Sequence, residues 1–220
     1  MRITWYGHAA FRIETGGLSI ILDPYRSPDC GGYEPVGDAA DVVVVSHEND
    51  RYHSHLGQIR PPFQVIRGLE VPPEGRSCGG ITFQFERVFE SPERLPEDEV
   101  TIIHFRAEGL HVVSLGDLGH TLSAEELAPF NGADVVLVAA GGPPTIALMD
   151  IPPLLDAIEA RWVVPMHYKT PKIDLNIQPI ERFLELFPTT EVDRPGRCWF
   201  EATASELPDS MRILILEHAR

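Results

Sequence analysis

The sequence predicts a strand-rich α/β (α+β) domain in which two β-sheets face each other with helices on the outer surfaces. Three observations predict it. Most apolar runs are short, β-branched and closed by Gly, Pro or Asp, as strands are. The runs fall into two comparable halves separated by an acidic, proline-containing segment at 90–99. Helical periodicity appears only in the second half, interleaved with strands. At 220 residues one domain spanning 1–220 buries roughly 70% of the surface of its unfolded chain, so neither disulfide nor structural metal is needed for stability.

The elements follow in order. Residues 3–6, 10–14 and 18–22 read as a meander, the last strand closed by Asp23-Pro24. A Pro- and Gly-bearing loop over 27–37 leads to 41–46, a continuous valine run typical of a strand covered on both faces. Segments 64–67 and 81–89 continue the strands, and 100–106 and 110–115 form a hairpin around Ala107-Glu108-Gly109. Ser123 with Glu126 is a capping box opening a short helix to about residue 130. Runs 134–139 and 162–166 are buried strands; 154–160 and 179–187 carry helical spacing with prolines at the start; 198–202 and 211–216 close the chain.

Composition removes several functions. The formal net charge of −15 disfavours non-specific nucleic-acid or anionic-membrane binding, which needs a basic face. Random duplex DNA or RNA should therefore not be retained at physiological salt; a tight, salt-sensitive mobility shift would contradict this. No apolar run approaches the ~18 residues of a membrane span, and Met1-Arg2-Ile3-Thr4 lacks a signal-peptide core. Cys30, Cys78 and Cys198 form no C-x-x-C pair and read as free thiols of a cytoplasmic protein. The expected partner is a small-molecule substrate.

Four apolar runs end directly in a metal-capable or acidic residue: 20–22 in Asp23, 42–46 in His47, 112–116 in Asp117 and 163–166 in His167. Rigid strands ending at one edge aim such side chains into a common crevice. Taken singly, each is also compatible with a polar residue opening a loop.

These residues carry a resemblance. Gly7-His8-Ala9-Ala10-Phe11, Leu22-Asp23-Pro24, Val44-Val45-Ser46-His47, Leu115-Gly116-Asp117-Leu118-Gly119-His120 and Pro165-Met166-His167-Tyr168 stand in the order of the landmarks of the metallo-β-lactamase superfamily. The similarity is to its branch of metal-dependent hydrolases that also contains an L-ascorbate 6-phosphate lactonase. It implies a four-layer αβ/βα sandwich of two mixed β-sheets with outer helices.

The family motif His-x-His-x-Asp-His serves two neighbouring divalent ions, and here it is degenerate. Read without a gap, Asn49 replaces the second His, Arg51 the Asp and Tyr52 the last His. With one inserted residue, His53 becomes the last His and Asp50 stands near the missing carboxylate. The resemblance then implies His47, His53, Glu90, Asp117 and His167 as metal ligands, Glu90 standing where the family has a His. Glu90 also reads as a solvated loop residue, Asp117 as a cap or turn residue and His167 as a core histidine. Asp50 or His120 would shuttle the proton, His120 being also a possible ligand, while His8 and Asn49 would line the substrate side. The implied cofactor is a divalent metal, zinc or else manganese or iron, at about one ion per chain or fewer. The implied activity is hydrolysis of a small ester, lactone or phosphoester. The degenerate motif equally allows an eroded site serving as a non-catalytic binding or assembly module; ligand counting separates the two, since a catalytic zinc needs about three protein ligands.

Overall fold

The structure is a computed structural model that describes all 220 residues. The first sheet begins with the meander β1 (Arg2–Gly7), β2 (Ala10–Thr15) and β3 (Leu18–Leu22), continued by β4 (Val42–Val45) and β5 (Gln64–Arg67). The second sheet opens with β6 (Arg76–Cys78), β7 (Ile81–Phe89), β8 (Glu99–Ala107) and β9 (Leu110–Ser114). Helix α1 (Ala124–Leu127), strand β10 (Val135–Ala139), helix α2 (Ile151–Ile158), strand β11 (Trp162–Met166) and helix α3 (Ile180–Leu184) follow. The chain closes with β12 (Glu191–Asp193), β13 (Trp199–Glu201) and β14 (Arg212–Leu214).

The strand orders are β13-β1-β2-β3-β4-β5 and β12-β14-β11-β10-β9-β8-β7-β6. Both sheets are mixed. In the first, β1 to β3 are antiparallel whereas β3, β4 and β5 run parallel. In the second, β6 to β9 are antiparallel and β9, β10, β11, β14 and β12 are parallel. One core cluster joins Ile3, Phe11 and Val44 of the first sheet to Phe83, Val112 and Val164 of the second, so the two sheets face each other. The two facing mixed sheets are those that the resemblance implies.

The outer layers differ from expectation. No α-helix precedes Ala124, so the outer face of the first sheet is covered by irregular chain instead. Tyr6, Ile21, Val43 and Val45 on that face pack against Tyr25, Tyr33, Val36 and Ile59. Pro24, Pro28, Gly31, Gly32, Pro35 and Gly37 make this segment a poor helix former, and its aromatic side chains supply the buried area a helix would have supplied. Two helices are shorter than their periodicity suggests, since α3 stops at Leu184 and α1 passes into a 3-10 turn at Ala128–Phe130, while α2 begins three residues before the expected start at 154. β6 and β12, three residues each, were not expected; both lie at sheet edges, where pairing with one neighbour rather than apolar pattern defines them.

Candidate metal centre

Five strands, β1, β3, β4, β9 and β11, end at one edge of the sandwich and place their next residues together. β1 ends at Gly7, where φ is +135° and a Cβ would lie 2.6 Å from the Tyr33 ring; only glycine lets that ring pack there. His8 then turns left-handed (φ 50°), and its carbonyl accepts hydrogen bonds from Trp5 Nε1 at 3.0 Å and from the His167 backbone N–H at 3.1 Å. Asp23 after β3 and His167 after β11 are left-handed as well, with φ of 43° and 49°. Each such non-glycine residue costs about 1 to 3 kcal/mol, and such strain clusters at functional sites.

Asp23, fully buried, fixes the loop after β4. Its Oδ1 accepts from the Ser46 N–H at 2.7 Å, and its Oδ2 lies 3.7 Å from His53 Nδ1. The Ser46 carbonyl accepts from Thr101 Oγ1 at 2.6 Å, and Ser46 Oγ is 3.0 Å from His47 Nδ1. That contact leaves His47 Nε2 without a partner. Downstream, the Asn49 carbonyl accepts the N–H groups of Tyr52, His53 and Ser54 at 3.0, 2.8 and 3.0 Å, a tight turn that returns His53 to the interior.

There His53 Nε2 stands 2.9 Å from Asp117 Oδ2, and His167 Nε2 stands 3.8 Å from Asp117 Oδ1. The His8 ring lies 4.2 Å, centroid to centroid, from that of His167, and the His47 ring 4.4 Å from that of His53. Two donor groups result, His47 with His53 and Asp117, and His8 with His53 and His167; within each, the donor atoms lie within 4.8 Å of one another. None of the five residues is more than 7% exposed.

The residues fit a divalent cation. Both ring nitrogens of His8 and of His53, Nε2 of His47, Nδ1 of His167 and Oδ1 of Asp117 are buried without a hydrogen-bond partner; the short His53–Asp117 contact is an ion pair whose angles do not make a hydrogen bond. Leaving a buried polar group unpaired costs about 1 to 3 kcal/mol, so an unfilled cluster of this size is expensive, whereas a cation would use these lone pairs. Protonation states agree. Burial and the His53 charge push His47 down to about 4, burial and the neighbouring histidines push His8 well down, and burial lowers His167. All three are therefore neutral imidazoles with a free lone pair, the form that ligates. Burial also works against a charged His53, but the Asp117 and Asp23 carboxylates outweigh it and lift His53 to about 10. Burial likewise opposes the Asp117 charge, and the His53 and His167 rings hold that carboxyl well below its ordinary range all the same. In the metal-free chain His53 therefore carries a proton that it would give up on binding a cation.

The remaining expected residues lie apart from these groups. Glu90, half-buried after β7, has its carboxyl raised by burial and by the Asp117 charge, but it joins neither donor group. Asn49 is half-buried and structural, its N–H bonded to Ser54 Oγ at 3.0 Å. Asp50 is not in the crevice: its carboxylate, 58% exposed, pairs with Arg26 at 2.7 Å and His55 at 3.0 Å, because the Asn49 turn throws residue 50 outward. Nor is His120 free to shuttle protons. Its Nε2 accepts from the Phe89 N–H at 3.2 Å and its Nδ1 lies 2.8 Å from the Thr121 carbonyl, so it braces the end of β7. Sequence reading did not single out Asp23 as a partner of His53; its only signal was its place at a strand end.

Gly119 completes the brace. Its N–H donates to the Phe89 carbonyl at 2.8 Å, and a Cβ there would lie 1.7 Å from the Glu90 carbonyl oxygen. Gly119→Ala should therefore lower stability by about 1 to 3 kcal/mol, the usual cost of overpacking, read as a reduced Tm. A variant of unchanged Tm would show that this packing is looser than described. Beside Gly119, a crevice of about 290 Å³ is lined by Arg94, His120, Pro143, Pro144 and Asp150 among others.

Comparison with known proteins places the chain in a family and a fold. A family model described as the beta-lactamase superfamily domain matches residues 2–167. A UPF0173 protein of Pyrococcus abyssi is 31% identical over 185 residues, 77% of this chain and 84% of that one. A UPF0173 metal-dependent hydrolase of Geobacillus thermodenitrificans is 27% identical over 217 residues, covering 86% and 93%. Among solved structures, a Thermotoga maritima protein assigned to the Zn-dependent hydrolases of the metallo-β-lactamase superfamily superposes with a TM-score of 0.78 at 29% identity over 98% of both chains. A metallo hydrolase of Ignicoccus hospitalis, at 19% identity and TM-score 0.62 over 92% of this chain and 99% of that one, shares the fold. The chain belongs to the beta-lactamase superfamily domain family, and relatives across most of its length are named metal-dependent hydrolases.

Proposed function

We propose that the chain acts as one domain, a cytoplasmic metal-dependent hydrolase of small esters, lactones or phosphoesters, working with about one divalent ion, zinc by the donor set. The observation that carries this reading is the buried cluster of His47, His53, Asp117 and His167 with unpartnered donor atoms. Three imidazoles and a carboxylate are a nitrogen-rich set suited to zinc. When bound, the ion would lower the pKa of a water and polarise the substrate oxygen on which charge develops.

The chain's own residues supply the rest. Asp23 Oδ2 stands 3.7 Å from His53 Nδ1, where a small ring rotation would give the carboxylate–histidine pairing that orients a ligand and raises its basicity. Ser46 orients the His47 ring through its hydroxyl. Proton transfer falls to Glu90, whose carboxyl is raised by burial and by the Asp117 charge; Asp50 and His120 are otherwise engaged. No helix is long and apolar enough to cross a membrane, and the acidic charge of −15 favours a small-molecule partner over nucleic acid or a lipid surface.

The test is a panel of chromogenic esters, lactones and phosphodiesters assayed with zinc, manganese and iron. Turnover of one class, abolished by chelator and restored by metal, is expected. Glu90→Gln should lower kcat by about 10² to 10⁴, the range for a general acid–base group, at unchanged metal content. No turnover of any class with any metal would overturn the reading.

A further inference from the structure

We infer that His8 is a metal ligand of this chain, supplying the donor that the sequence lacks next to His53. The inference rests on the metal-centre reading above and adds His8 to the side of that cluster formed by His53 and His167.

The family motif places an Asp immediately before its last His. Here that position is Tyr52, which offers no carboxylate, and Asp50 points to solvent with Arg26 and His55. An ion beside His53 and His167 would thus lack the carboxylate that the family motif supplies at this position. The His8 ring occupies the space beside this gap, its centroid 5.1 Å from the Tyr52 ring, 5.4 Å from His53 and 4.2 Å from His167. A histidine serving only as core would be hydrogen-bonded or exposed at one nitrogen. His8 is 1% exposed, and neither ring nitrogen has a partner. Its donor atom also lies within 4.8 Å of those of His53 and His167. Small side-chain rotations would bring these donor atoms together around one cation.

The backbone invests in this position. His8 takes a left-handed conformation directly after Gly7, which packs on the Tyr33 ring, and its carbonyl is held by Trp5 Nε1 and by the N–H of His167 itself. The two histidines are therefore fixed against each other although 159 positions separate them in the chain (167 − 8).

The experiment titrates Zn²⁺ against a chromophoric chelator, and records the visible absorption of Co²⁺-loaded protein, for the unaltered chain, His8→Ala, His53→Ala and His8→Ala/Tyr52→Asp. Loss of an outer-shell partner typically weakens binding about 10 to 100-fold. His8→Ala should exceed that range and alter the Co²⁺ absorption, and Tyr52→Asp should recover affinity by restoring a donor from the adjacent position. That recovery separates lost ligation from misfolding. His8→Ala with unchanged Co²⁺ absorption, while His53→Ala loses the metal, would overturn the His8 assignment and leave the metal centre standing. Absence of binding in the unaltered chain would overturn both.

Discussion

Asp117→Asn should strip the protein of metal and, in chelator-treated protein, lower the unfolding free energy by about 3 kcal/mol, the low end for breaking a buried ion pair from one side. Both effects have one origin. Asp117 contacts His53 at 2.9 Å and His167 at 3.8 Å and is 4% exposed, so its charge is the main counterion for the buried His53 cation. The amide keeps the shape and removes the charge, leaving His53 either charged with only Asp23, 3.7 Å away, to offset it or deprotonated at the expense of its raised pKa. Metal content by elemental analysis and urea unfolding of the chelated protein measure the two effects. Unchanged unfolding free energy would show that the pair is solvated rather than buried, and unchanged metal content would remove Asp117 from the ligand set.

The metal-free protein should also have a narrow pH optimum of stability near neutrality. His8, His47 and His167 have folded pKa values below their ordinary 6.5. Below that value the unfolded chain binds protons the native chain refuses, so stability falls as pH drops from about 6.5 toward 4. His47 alone, shifted to about 4, accounts for about 3 kcal/mol of this loss at 1.36 kcal/mol per unit. The opposite sign governs His53. Its raised pKa of about 10 gives a contribution fully present below 6.5 and lost as pH rises toward 10. Asp117, whose pKa is depressed, contributes above the unfolded carboxyl value of about 3.9 and loses that contribution only in stronger acid. A cation that replaces the His53 proton reverses the alkaline limb, so zinc affinity should rise with pH across the same window. Thermal unfolding of chelated and zinc-loaded protein from pH 4 to 10 reads both trends. A flat profile for the chelated protein would mean that these histidines are not buried in the neutral and charged forms assigned to them.

The strand ends were legible because two different signals coincide there. Val42 to Val45 and Val163 to Met166 are apolar on successive residues, which marks strands covered on both faces, and each run then stops at a residue able to bind metal. Asp23, His47, Asp117 and His167 follow from that pattern, and the structure brings all four to one edge. The loop after β4 was less legible. Spacing alone put Asp50 near a missing carboxylate, whereas three N–H groups converging on the Asn49 carbonyl set the turn, and hydrogen bonding to a backbone oxygen leaves no mark on residue type. The part played by His8 was hidden for another reason. It depends on a left-handed backbone and on contact with a residue at the far end of the chain, both consequences of tertiary packing. The outer cover of the first sheet was read correctly as a loop over 27–37, but its burial of Tyr25, Tyr33 and Val36 in place of a helix layer required the sheet to be in place first.

The central claim is that the buried histidine–aspartate cluster holds a divalent ion, and metal analysis of protein purified without chelator or added metal, beside His53→Ala, tests it most directly. His53 belongs to both donor groups, so its loss disables either arrangement. About one ion per chain in the unaltered protein and less than a tenth of that in His53→Ala is the predicted result. Equal metal in both, or none in the unaltered protein even after loading with zinc, manganese and iron, would contradict it.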